Sequence, residues 1–216
     1  MTISPQTLKA GLVLLDPVTS IVVRVIVLQY NPDTLTRTLQ VQGTGGDQAD
    51  RSEVLRLKGP AVETLKIDAE IDATDQLETA QPGATVLQSG IFPQLAALET
   101  IIYPTTTQLI GNNAMASAGM LEILPMEAPL TLFVWSTSRI VPVRITEFSV
   151  TEEAFDTHLN PIRAKVSLGM RVLSVTDLGF DHRGSSIYLA YQRAKETFAA
   201  IPGGGSIGQL GIGAIP

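Results

Sequence analysis

Three carboxylates at alternate positions, Asp68, Glu70 and Asp72, with Asp75 just beyond, form the densest group in this sequence that could do chemistry. On an extended strand every second side chain shares a face, so the three stand in one row. Such a row could bind calcium or supply the paired carboxylates of a hydrolase. Calcium ligation normally needs a curled loop, however, and the charged outer face of a strand is the plainer interpretation. Glu152 and Glu153 with Asp156 look likewise like solvated turn chemistry, or a contact to basic residues of a neighbour. The two histidines, His158 and His182, stand alone in polar turns with no second ligand at i, i+4.

Two motifs match by letter only. Residues 203–208 (GGGSIG) satisfy G-x-G-x-x-G, but a dinucleotide fingerprint must follow a strand and open a helix, and this stretch follows a helical pattern and runs into a tail. Residues 204–208 also spell G-x-S-x-G, yet nothing ionisable in the side chains after Ser206 could complete a triad, so Ser206 is linker. No Gly-Lys-Ser or Gly-Lys-Thr occurs, and the absence of cysteine removes disulfides, thiolate metal sites and cysteine nucleophiles. Trp135, the single tryptophan, lies in an apolar run and belongs to a core. The expectation is therefore a non-enzyme with no cofactor, no metal and no catalytic residues; a hydrolase using Asp68, Glu70 or Asp72 is the distant alternative.

Composition points the same way. At 216 residues and 44% hydrophobic content the chain can fill one core, while only 17% charged residues leaves little to keep a bare surface wet. That balance suggests an obligate assembly, with an ordinary hydrophobic β domain as the alternative. A net charge of −6 and no adjacent basic residues argue against nucleic acid as a partner. No apolar run is long enough to span a bilayer and the first residues lack a basic signal-peptide start, so neither membrane insertion nor secretion is expected.

The elements that must position these residues centre on 139–175. Ile162, Ala164, Val166, Leu168, Met170 and Val172 alternate with Arg163, Lys165, Ser167, Gly169 and Arg171, a run about twice the usual strand length. The preceding run carries Val141, Val143 and Ile145 on one face, then shifts to Phe148 and Val150, a slip that a β-bulge absorbs. With 152–161 as connector, the two make an extended hairpin whose surplus length should be buried by other copies of the chain. Upstream, strands are expected at 11–15 and 21–30, at 35–41 paired back on the second, at 54–57, and at 63–72 with Leu65, Ile67, Ala69 and Ile71 inward. Residues 43–50 are a loop and 76–89 a linker. A helix over 91–103 carries Leu95, Leu98 and Ile102, with Pro93 in its first turn. Residues 105–129 show no steady period and are expected as a long loop, with a strand at 130–135 after it. A second helix, capped by Ser185 or Ser186, runs to Phe198 with Ile187, Tyr191, Ala194 and Phe198 as its stripe. The glycine-rich tail, with Ile207, Leu210 and Ile212, cannot form its own core and is either disordered or a strap. The whole is a mainly β domain with α (α+β), divided as 1–180 and a C-terminal helix and tail at 181–216.

The segments QYNPDTLTRTLQ (29–40), EVLRLKGPAVETLKIDAEIDATDQLE (53–78), GIFPQLAALETIIYP (90–104) and LTLFVWSTSRIVPVRITEFSVTEEAFDTHLNPIRAKVSLGMRVLSVTDL (130–178) occur in that order. Together, over roughly residues 10–180, they resemble the tube-like domain of baseplate proteins in contractile injection systems, the phage-tail-like particles that fire an inner tube. The resemblance implies a phage-tail-tube-like β-barrel or sandwich with a packed helix, assembled as a homo-hexamer that adapts the central spike to the inner tube and initiates tube assembly. It implies as partners the spike protein, the inner tube protein and other baseplate or sheath-side proteins, and as location the bacterial cytoplasm, within or released with the particle. A distal cap that ends the tube is the alternative position. Many relatives carry a LysM module, whereas residues after 180 form a helix and tail here, so glycan binding is not carried over. Partner contacts are expected from Arg139, Arg144, Glu152, Glu153, Arg163, Lys165 and Arg171 on the hairpin. They are also expected from Tyr188, Tyr191, Ile207, Leu210 and Ile212 in the C-terminal segment.

Overall fold

The computed structural model describes residues 8–16, 19–43, 55–77, 84–119, 128–201, 203, 205 and 207–212. Most of the expected 43–50 loop, Pro17, Val54, Ser206 and part of the 76–89 linker lie outside the described residues.

Alternation in sequence becomes one antiparallel seven-stranded sheet, so the chain is mainly β with packed helices. Its strands are β1 (Gly11–Leu15), β2 (Val22–Val27), β3 (Leu35–Gln40), β4 (Val62–Asp72), β5 (Leu130–Ser136), β6 (Arg139–Phe155) and β7 (Pro161–Val172), in the order β2-β1-β5-β6-β7-β4-β3. β7 is central: β4 pairs with it from Thr64↔Arg171 to Asp72↔Arg163, and β6 pairs on its other side from Val143↔Val172 to Phe155↔Pro161. The expected bulge falls between Ile145 and Glu147. The inward faces of β4 and β7 are the alternating sets read from sequence, with Leu65 and Ile67 at 1% exposure and Ala164, Val166, Leu168 and Met170 at 0%.

Several expectations are corrected. β3 pairs with β4, not β2, because Asn31 folds back on β1 instead of closing a hairpin: its Oδ1 accepts from Ala10 N (2.9 Å) and its Nδ2 donates to Leu8 O (2.7 Å). Residues 55–57 make only an isolated bridge, Gly43↔Leu57. β6 runs on through Glu152 and Glu153 to Phe155, and the connector shrinks to a turn in which the Asp156 carboxylate accepts from His158 N and Asn160 N (2.7 and 2.8 Å). The linker contains two short helices, α1 (Thr74–Leu77) and α2 (Ala84–Ser89). The presumed loop contains α4 (Thr106–Ser117), started by a capping box between Thr105 and Gln108 and with no buried residue among those described. A helix that buries nothing has no period to betray it.

Helix α3 (Phe92–Glu99) ends a turn earlier than expected, and Ile101 rather than Ile102 is buried beside Leu95 and Leu98. The last helices are α5 (Val175–Leu178) and α6 (Arg183–Ala199). α6 is capped by His182, whose Nδ1 accepts from Gly184 N at 3.0 Å, not by Ser185 or Ser186. It buries Gly184, Ser185, Tyr188 and Tyr191, while Phe198 is exposed. A smaller cluster, Leu15, Leu130 and Leu132 with Val13, Ile140, Leu178 and Ile187, holds α5 and α6 to the β1-β5-β6 wall.

The two ends of the sheet approach each other. The Gln29 amide accepts from Asp72 N (3.0 Å) and donates to Asp72 O (2.5 Å), a side chain making the reciprocal pair of bonds that a strand residue makes in an antiparallel ladder. Gly90 fixes α3 against the hairpin. It has φ +55°, Ile91 N beside it donates to Pro161 O (2.8 Å), and a Cβ on Gly90 would stand 2.1 Å from that same carbonyl. Gly90→Ala should therefore cost about 2–3 kcal/mol in urea unfolding, from steric overlap plus a left-handed backbone; an unchanged midpoint would mean the α3–β7 corner yields freely.

Candidate interface and the polar network behind it

The sequence gives no hint of the most buried charge, Glu63, which is 4% exposed. Its Oε1 accepts from Arg37 Nε (2.8 Å) and Tyr191 OH (3.2 Å), and Lys195 Nζ stands 3.8 Å from Oε2 and 4.3 Å above the Tyr191 ring. Arg37 also donates to Tyr191 OH (3.1 Å). The network ties β3 and β4 to α6. Burial pushes the Tyr191 phenol up and Glu63 adds to it; burial pulls the Lys195 ammonium down against the opposing pull of Glu63. For Arg37 burial acts downward, but hydrogen bonding and attraction to Glu63 prevail and hold it above its ordinary value. These contacts make the network a joint between the two strands and the helix. The one signal in sequence was Arg37 interrupting an apolar strand face.

Most of the hairpin's wet-face cations are matched within the chain. Arg163 bonds Asp72 (2.6 Å) and approaches Glu70 (3.9 Å), Lys165 pairs with Glu153 (2.8 Å), and Arg171 with Asp177 (2.6 Å). Of these, Arg163–Asp72 is the directly opposed cross-strand pair; Lys165, which lies opposite Glu70, turns instead to Glu153 of β6, and Asp177 belongs to the helix that follows β7. The acidic row of β4 is thus largely a partner to β7, and no metal-holding group of His, Asp and Glu occurs among the described residues. Glu147 lies across Gly169, where a Cβ would stand 2.8 Å from its own, and reaches Lys66 at 3.8 Å. Arg144 is exposed opposite Arg171, Arg139 is partly buried at the start of β6, and Glu152 is exposed near the tip. Tyr188 and Tyr191, expected to meet partners, face the chain's own core at 6% and 5% exposure. Leu210 and Ile212 are exposed, and the Ile207 side chain lies outside the described set.

On the sheet, strand edges and a row of valines remain outward. β2 and β3 are sheet edges. β5 pairs with β6 only as far as Val143, which leaves Arg144 to Phe155 with a strand on one side alone. Val22, Val23, Val25 and Val27 are each more than half exposed, and Phe155 is half exposed. The expectation that the hairpin's surplus is buried by other copies is overturned for β7, whose inner face this chain buries itself, and concerns only the outer half of β6. No helix among the described residues is long and apolar enough to cross a membrane.

The geometry defines an antiparallel α+β sheet with unpaired strand edges. No family model matches the chain, and no curated protein does. Among solved structures it matches a chain described as "Tail of empty GTA particle computed with helical refinement, C6 symmetry", with 11% identity and a TM-score of 0.30, over 76% of this chain and 90% of that one.

Two measurements probe these polar contacts. Glu63→Ala should destabilise the fold by about 2–4 kcal/mol, because Arg37 and Tyr191 lose their shared acceptor in a desolvated site; a loss below about 0.5 kcal/mol would show the joint to be ornamental. Asp72 is held below the ordinary carboxylate range, first by the Thr74 hydroxyl and, against the opposing effect of burial, by Thr74 N and Arg163. A depressed folded-state value stabilises above the unfolded one and is lost as pH falls through the folded one. Asp72→Asn should therefore flatten the loss of stability below about pH 4, followed by urea midpoints from neutral to acid pH.

Proposed function

We propose that this chain is a structural, non-enzymatic subunit of a phage-tail-like particle. In the finer form of the proposal it makes a hexameric ring in the baseplate of a contractile injection system, adapting the central spike to the inner tube and starting tube assembly. The observation that carries it is the unpaired strand edge, exposed and apolar at β2 and long at the outer half of β6. An isolated protein blunts such edges with charge, proline or a covering element; β2 has one charge, Arg24, already turned onto Ala97 O and Thr100 Oγ1. Different edges at different places on one subunit favour head-to-tail contacts, which close into rings when the rotation permits. The ordered resemblance of residues 29–40, 53–78, 90–104 and 130–178 to the tube-like domain supports the assignment to an injection baseplate.

Val23→Lys with Val25→Lys should leave circular dichroism unchanged and shift the chain from oligomer to monomer in sedimentation velocity. Electron microscopy of purified chain and of particles should show rings; monomers only, in both, would exclude the proposal.

A further inference from the structure

Beyond the end of β3, β2 and the last residues of β4 flank an open slot. On one side is β2, where Leu28 N donates to Ala10 O (2.9 Å), so that by the alternation of an antiparallel ladder Val25 and Val27 turn their amides and carbonyls away from β1. On the other is β4, whose partner β3 stops at Leu35↔Ile67, leaving Asp68 to Asp72 without a strand on that side. At one end Gln29 bridges the gap with its amide in the place of a peptide group. Between the walls runs a groove of about 380 Å³, lined by Val25, Val27, Ile71, Ala97 and Leu98, with Arg24 and Glu70 as its charged rims.

We propose that this slot receives Gly208 to Ile212 of a second copy of the chain, as a strand added between β2 and β4. The inference rests on the assembly proposed above and names the contact. Three observations select the occupant. The rims, one positive and one negative, make the slot neutral overall, and no charged side chain follows Glu196 in the sequence. Gly208, Leu210 and Ile212 fall on one face of an extended strand, with Gln209 and Gly211 on the other, so the two apolar side chains point together at Leu98 and Ile71 while glycine keeps the backbones close. In one copy the two features stay apart: Leu210 is 76% and Ile212 44% exposed, and among the described residues none after Leu98 lines the groove. Residues 207–210 form only a single 3-10 turn, a conformation that unwinds at little cost. Main-chain bonds to a strand edge with side chains in adjoining pockets is a general mode of peptide recognition.

A chain without cysteine makes the test direct. Chains carrying Ile26→Cys, on the β2 face that Leu210 would share, and Leu210→Cys are mixed at a concentration that supports oligomers and oxidised. A disulfide between the two variants, with neither forming one alone, is expected. As a second readout, Leu210→Glu should weaken self-association at least about tenfold, the loss of one buried leucine, with the unfolding midpoint unchanged. Oligomers that persist in Leu210→Glu without the mixed disulfide would overturn this contact and leave the assembly proposal standing. Disulfide formation within a dilute chain carrying both cysteines would place the strap in its own slot and overturn the exchange. Monomers in every sample would remove both.

Discussion

The ladder shared by β4, β7 and β6 is the constraint on which the rest of the molecule depends. β7 has strands on both sides and a fully buried inner face, so its backbone groups are paired within the sheet and its side chains have no alternative environment. Once β7 is placed, register sets Arg163 opposite Asp72 on the wet face, and the core face receives α3. Moving β7 by one residue would put Arg163 and Lys165 into the core and Val166 and Leu168 into water, an exchange of several buried side chains at about 1.5–3 kcal/mol each.

The Glu63 joint works differently. A buried charge gains little net stability, because attraction to its partners is offset by the loss of water. What it contributes is direction: a carboxylate that must meet Arg37 from β3 and Tyr191 from α6 tolerates one placement of that helix. The apolar stripe of α6 alone would have left its rotation loose, and the stripe inferred from spacing was indeed offset from the one the fold buries.

What could be read from sequence was whatever period two imposes. β4, β7 and the bulge in β6 follow from side chains that must alternate between core and water, and β1 and β5 from short apolar runs buried on both faces. Pairing partners did not follow, because β3 meets β4 for reasons that include where Asn31 turns its amide. α4 escaped because it commits no face to a core, while Gly111, Asn112 and Asn113 at its middle read as loop and only the cap marks its start. The buried network escaped because its members come from three elements far apart in the chain, Arg37, Glu63 and the Tyr191–Lys195 pair of α6, and none belongs to a motif.

The sheet order also fixes a schedule. β1 is joined on its inner side to β5, Leu12 opposite Phe133, and β4 to β7, Ile67 opposite Leu168. At about 5–20 residues per second, a ribosome finishes β1 with β2, and β3 with β4, many seconds before the strands that cover them exist. During that interval two hairpins, one rich in valine, wait with both edges open, and closure of such distant pairs is slow in itself. Until those strands arrive, four edges are open where the finished sheet has two, which makes synthesis, more than the finished form, the stage at which open edges invite mispairing.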